Sequence, residues 1–157
     1  MKRAANTFTS SVWDRMIAPL HTAPAQPDAR RLTLEKFKRI IARDLEALLN
    51  TRIAIPEDEL AGQPYCNNSI VNFGLADFAQ LCLTSSEDRK EICDRLKVAI
   101  ERHETRLCNV RAHLVKEPGA INRLSFIVSG QLRAVAADEQ VRFDILLEPS
   151  SLHYSIR

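Results

Sequence analysis

The chain reads as an α+β fold, with N-terminal helices followed by a small antiparallel β-sheet with hairpins, and three observations predict it. Apolar residues recur at helical spacing in two separate stretches, Leu34 to Leu49 and Ile92 to Ile100. After residue 108 the period changes to two: Val110, Ala112 and Leu114, then Leu124, Phe126 and Val128, then Val141, Phe143, Ile145 and Leu147. Turn-forming segments separate these later runs, at Glu117-Pro118-Gly119, at 136–140 and at Pro149-Ser150-Ser151.

Taken in order, Val12, Trp13, Met16, Ile17 and Leu20 predict a short amphipathic helix, and His21 to Ala29, with Pro24 and Pro27, predicts a linker. Residues 1–31 are therefore expected to form an arm ahead of an α+β domain over 32–157. Trp13 either packs the arm back on that domain or anchors it to a partner. Thr33 is placed to cap a helix carrying Leu34, Phe37, Ile40, Ile41, Leu45, Leu48 and Leu49 and ending near Asn50.

Residues 51–69 hold Pro56, Gly62, Pro64 and the pair Asn67-Asn68, which reads as a loop. Apolar Ile70 to Leu83 suggests a short helix or two, with Gly74 at a turn or cap. Thr84-Ser85-Ser86-Glu87-Asp88 supplies hydroxyl caps followed by acids, Thr84 and Glu87 at capping-box spacing, before a helix predicted over about 86–104. Strand-like alternation follows, and Leu152, Tyr154 and Ile156 form a last short strand with one shared face.

With 157 residues, 45% hydrophobic and 27% charged, the chain is long enough for one domain with a real core. No run approaches the roughly 18 to 20 apolar residues of a membrane span. Asn6, Thr7, Thr9, Ser10 and Ser11 interrupt any signal-like core, so a cytoplasmic location is expected. Cys66, Cys82, Cys93 and Cys108 are scattered, without a C-x-x-C pair, and read as reduced thiols rather than metal ligands or disulfides. The first 52 residues carry ten Lys and Arg against five Asp and Glu, a formal +5, and the remainder carries −3. Lys36, Lys38, Arg39 and Arg43 lie on a helix without interleaved exposed aromatics, which favours a solvated face over a nucleic-acid groove.

Catalytic patterns are incomplete. His103-Glu104 opens like the zinc-protease motif H-E-x-x-H, but position 107 is Leu. His21, His113 and His153 lack a local nucleophile or acid arrangement, and Ser69 and Ser129 lack a glycine-flanked elbow. Asp144 and Glu148 would sit roughly 13 Å apart on one strand, beyond the roughly 5 to 9.5 Å used by glycosidases. They read as partners of Arg142, Arg106 or backbone groups. Glu104, Thr105 and Arg106 lie where helix gives way to strand, and an extended backbone there would place Glu104 and Arg106 on one face as a clamp for a partner's backbone.

Four segments then resemble one family in order and spacing: Leu48-Leu49-Asn50-Thr51-Arg52, Ser69 to Asp77, Glu104-Thr105-Arg106-Leu107 and Val141 to Glu148. They look like the TssE family of type VI secretion baseplate proteins, related to a tailed-phage baseplate wedge component. Residues 8–20 resemble that family's N-terminal helix more loosely. The resemblance implies a non-enzymatic cytoplasmic protein without cofactor or membrane insertion, in a baseplate docked at the inner face of the cytoplasmic membrane. It implies wedge partners TssF, TssG and TssK and a platform for the TssB-TssC contractile sheath.

A "lysozyme-like" label carried by family members keeps a peptidoglycan-cleaving glycosidase as an alternative, beside the equivalent part of a phage or other contractile injector. The family's E-P-R lies over Glu104-Thr105-Arg106, which inherits a docking role, with Thr105 in place of proline. Phe73 stands where the family often has Tyr, and Ala76 where it often has Pro. Asn50 and Arg52 are expected at a helix end, as docking residues or as simple caps of helix carbonyls. The sheet over 108–156 is expected to offer an unpaired edge to an extended sheath arm, guarded by Arg133, Arg142 and His153.

Overall fold

A computed structural model describes residues 8–9, 31–78, 81, 85–115, 124–133, 139–148 and 150–157. The expectations at Trp13, for the arm and its linker, and for the Glu117-Pro118-Gly119 turn lie outside these residues. The elements are β1 (Phe8–Thr9), β2 (Arg31–Leu32), α1 (Leu34–Asn50), α2 (Glu57–Leu60), α3 (Pro64–Asn67), a 3-10 turn (Ile70–Asn72), α4 (Ser86–His103), β3 (Leu107–Val115), β4 (Leu124–Leu132), β5 (Gln140–Glu148) and β6 (His153–Ile156). Helices precede a four-stranded antiparallel sheet in the order β3-β4-β5-β6, so the α+β architecture is as predicted. Separately, β1 pairs with β2, which brings Phe8 opposite Leu32 at the start of α1.

Helix α1 begins where Thr33 Oγ1 accepts from the Lys36 N–H at 3.4 Å. Its stripe of Phe37, Ile41, Leu45, Leu48 and Leu49 is buried. The end of α1 explains the Asn50-Thr51-Arg52 run. Asn50 Nδ2 takes the Glu46 carbonyl, Thr51 Oγ1 takes that of Ala47, Thr51 N–H that of Leu48, and Arg52 Nη1 that of Leu49. Successive last-turn acceptors that the helix cannot satisfy itself are thus filled from the residues that follow.

Gly74 lets the next segment return to this helix end. Its φ is +129°, and a Cβ there would lie 2.6 Å from the Thr51 carbonyl oxygen. Leu75 N–H donates to that same oxygen at 2.8 Å, and Ile53 N–H donates to Leu75 O at 3.0 Å, a short parallel bridge that buries Leu75 beneath the loop. The stretch expected to be a plain loop over 51–69 contains two single-turn helices, α2 and α3. Of the apolar segment from Ile70, one 3-10 turn forms, capped by Ser69, and both Ile70 and Val71 are exposed.

In α4 the cap is Ser85, one of the hydroxyl residues expected to cap it, while Thr84 lies outside the described residues. Ser85 Oγ accepts from Asp88 N–H at 3.3 Å, one residue later than the Thr84-Glu87 register. Ile92, Leu96, Ala99 and Ile100 turn towards the sheet.

On the sheet's inner face, Phe126 opposes Ile145, Val128 opposes Phe143, and Leu147 opposes Tyr154. All six are buried, and with the stripes of α1 and α4 they form one core between two layers. A bulge between Cys108 and Arg111, with Asn109 at φ 53°, resets the strand period. Leu107 and Val110, three residues apart, consequently both face the core.

Leu152 corrects the expected last strand. It sits at φ 52°, in the left-handed region, 45% exposed in the turn before β6, while Tyr154 is buried. The β5–β6 reversal needs that backbone, so Leu152 cannot share a face with Tyr154. The proposed edge guards are corrected too: Arg142 lies on interior strand β5 and Arg133 just beyond interior strand β4, leaving His153 on an edge strand.

Gly74→Ala combines left-handed strain with a backbone collision. It is expected to destabilise the fold by about 2 kcal/mol or more, read as a lower denaturation midpoint in urea.

Candidate functional site

The junction of α4 with β3 is built by the helix's own ending. Glu104 N–H still closes onto Ile100 O at 2.8 Å, but Glu104 has left the helical region at φ −102° and ψ 78°. Leu107 N–H returns to Glu104 O at 3.0 Å and starts the strand. Thr105 therefore stands exposed at the apex, with Glu104 and Arg106 folded towards each other beneath it.

Glu104 is 5% exposed, and its carboxylate is held from three directions by Arg106. Oε1 accepts from Arg106 Nε at 2.6 Å and from its backbone N–H at 3.1 Å, while Oε2 accepts from Nη2. The same Nη2 reaches Asp44 Oδ2 on α1 at 2.7 Å, and the guanidinium lies 5.8 Å from the centre of the Phe37 ring. Burial works against the charge on Arg106, but the carboxylates of Glu104 and Asp44 outweigh it and hold its pKa above the ordinary arginine value. Arg106 Nη1 is buried without a partner among the described residues.

Sequence reasoning brought Glu104 and Arg106 together correctly but missed Asp44 and Phe37. The available signal was Asp44's position between Ile41 and Leu48, at the margin of the buried stripe of α1, where a partly buried acid calls for a cation. The Asp144–Arg142 pairing matches the reading of that acid as a partner of Arg142. Asp144 Oδ1 accepts from Arg142 Nε at 3.0 Å, and Glu148 accepts from Ser151.

Beside the junction lies an open cleft of about 590 Å³, bordered by Ile70, Phe73, His103, Thr105, Arg106 and Leu48. His103 Nε2 is 2.8 Å from the Asn72 carbonyl and so carries the hydrogen, with Phe73 edge-on at 5.3 Å. Partial burial lowers the His103 pKa from about 6.5, the Asn72 carbonyl opposing this and nearby Arg102 adding to it.

The second expected site, Asn50 with Arg52, is distant in role. Beyond capping α1, Asn50 takes both backbone groups of Tyr154: Nδ2 donates to Tyr154 O at 2.8 Å, and Oδ1 accepts from Tyr154 N–H at 2.9 Å. Arg52 Nη2 donates to Leu152 O at 3.0 Å. Burial pushes the Tyr154 hydroxyl pKa up to about 12, against the pull of Arg52.

Compared with known families, residues 35–137 match the model of the family described as baseplate wedge protein gp25. The chain belongs to that family. It is therefore a structural baseplate component, and the matched region runs from the first turn of α1 through the Glu104–Arg106 junction and past β4. A comparison with curated proteins finds no match. No helix among the described residues is long and apolar enough to cross a membrane.

Two outcomes follow for this wedge protein. Because Glu104 already lies outside the helical region, Thr105→Pro is expected to fold normally and to gain about 0.4 to 1 kcal/mol by restricting the unfolded chain, measured as a raised midpoint. A folded-state His103 pKa below the unfolded value means stability is full above pH 6.5 and falls as acid protonates the unfolded chain preferentially. Melting temperature should thus drop below that pH, and His103→Gln should flatten the dependence.

Proposed function

We propose that this chain is a TssE-type wedge component of a type VI secretion baseplate, acting in the cytoplasm beneath the membrane. It docks to TssF, TssG and TssK around Glu104-Thr105-Arg106 and presents its sheet to an extended arm of the TssB-TssC sheath. The observation that carries the docking reading is the pairing of a buried, rigid junction with an exposed apolar border. Ile70, which borders the cleft, is 85% exposed, an unusual use of a large apolar residue there.

In this reading Glu104 and Arg106 act by shaping the surface. Their mutual bonds hold Thr105 at the apex and anchor the junction on α1 through Asp44. Asn50 and Arg52 act likewise at the other end of α1, by fixing β6.

The test separates shape from contact. Glu104→Ala and Arg106→Ala should each lower stability by about 1.5 to 3 kcal/mol and reduce copurification with TssF and TssG. Ile70→Asp should keep the melting temperature and still lose the wedge. Full copurification of the Ile70→Asp variant would sink the docking reading. The phage reading predicts tail genes rather than TssB and TssC genes beside this one. Peptidoglycan clearing by the purified chain, abolished by Glu104→Gln, would establish the glycosidase instead.

A further inference from the structure

Between Cys108 and Arg111, β3 carries one residue more than β4 can match, and the surplus re-aims the side chains around it. Asn109, at φ 53°, is exposed there, and its Nδ2 donates to Gln131 Oε1. That bond takes the acceptor end of the Gln131 carboxamide. Its donor end, Nε2, is left without a partner among the described residues.

Around this carboxamide lies an open pocket of about 370 Å³, and four elements contribute to it. Lys97 comes from α4, Asn109 and Arg111 from β3, Ser129 and Gln131 from β4, and Gln140 from β5. Glu101, one turn beyond Lys97, accepts from Val110 N–H at 3.0 Å, which ties this face of α4 to the bulge.

The charge of the lining is one-sided. Lys97 and Arg111 have no ion-pair or hydrogen-bond partner among the described residues, and no carboxylate lines the pocket. The acids close to these residues in the chain are placed otherwise: Glu101 is bonded to Val110, Asp94 borders a different cleft, and Glu139 is outside the lining. Arg142, opposite Ser129 on β5, is the contrasting case, since Asp144 Oδ1 holds its Nε at 3.0 Å and it lines a separate pocket.

We propose that this pocket binds a tetrahedral oxyanion of the phosphate class, either free phosphate or the phosphate group of a small molecule or lipid headgroup. Two cations match the charge of about −1.5 to −2 that a phosphate ester carries at pH 7. A single carboxylate would leave one of them unmatched. The Arg111 guanidinium offers a fork for two oxygens and Lys97 a point charge, while the Ser129 hydroxyl and Gln131 Nε2 supply neutral donors. Donors arriving from three elements suit a tetrahedron of oxygens better than a planar pair. The pocket shares no residue with the cleft beside Glu104 and Arg106, so the site stands apart from the docking reading.

The test titrates the full chain with inorganic phosphate, and in parallel with acetate at matched ionic strength, following backbone amides by nuclear magnetic resonance. Phosphate should shift the amides of Arg111, Ser129 and Gln131 saturably, and acetate should not. Arg111→Gln and Lys97→Gln, both at exposed positions, should keep the melting temperature and each weaken phosphate by about tenfold. Gln140→Glu, which adds an acid to the lining at nearly constant size, should also weaken it. Lys90→Gln removes the same charge from an exposed position of α4 outside the lining and should leave the affinity unchanged. An equal response to acetate, native phosphate affinity in folded Arg111→Gln and Lys97→Gln, or an equal loss in Lys90→Gln would overturn the proposal.

Flotation with vesicles containing phosphatidic acid separates the two sources of the phosphate. Vesicle binding that Arg111→Gln abolishes assigns the site to a lipid headgroup. A saturable phosphate response without vesicle binding assigns it to a soluble phosphate.

Discussion

Arg106 reaches from the turn after α4 to two carboxylates, one from its own turn and one from α1, and the geometry of both layers depends on that reach. Glu104 is nearly inaccessible to water, and a carboxylate there is tolerable only because guanidinium and backbone donors surround it. Asp44 extends the bond to α1, and Phe37 lies against the guanidinium. The end of one helix, the start of the first long strand and the middle of the other helix are thereby held together by one side chain. Arg133 N–H adds the end of β4 by donating to the Arg106 carbonyl at 2.8 Å.

A second tie stands at the other end of α1. There Asn50, Thr51 and Arg52 do two tasks with one set of donors, completing the helix carbonyls and holding β6 and its preceding turn. The short strand β6 has few residues of its own to pair with β5, so side-chain bonds from the helix contribute a large share of its order. Both ties use residues that the resemblance marked for partner docking. Their contacts within the chain place them first as builders of the surfaces on which docking is proposed to occur.

Much of the fold was legible because its signals are local. The stripe of α1, its Thr33 cap and the alternation of β5 each follow from spacing and a nearby donor or acceptor, and each formed where expected. Leu152 was misread because alternation assigns a face to every second residue, whereas the reversal before β6 demanded a left-handed backbone at that residue. Within the hydroxyl run before α4 the cap is Ser85, a choice that local sequence does not rank because adjacent hydroxyl residues offer near-equivalent caps. In β3, the bulge at Asn109 is a response to pairing with β4 and to packing on the core, neither visible in β3 alone.

The sequence by itself determined the order of elements, the apolar faces that make the core, the helix end at Asn50-Thr51-Arg52 and the proximity of Glu104 to Arg106. Each is a matter of residues within a few positions of one another, where backbone geometry leaves little choice. Tertiary structure alone decided that Arg106 meets Asp44, 62 residues away, and that Asn50 meets Tyr154, 104 residues away. Those choices follow from packing two helices against a twisted sheet, which sets which polar side chains reach which unpaired groups across the layers. Burial then makes each such meeting obligatory, because a charge or backbone amide removed from water must find its partner wherever the fold has put it.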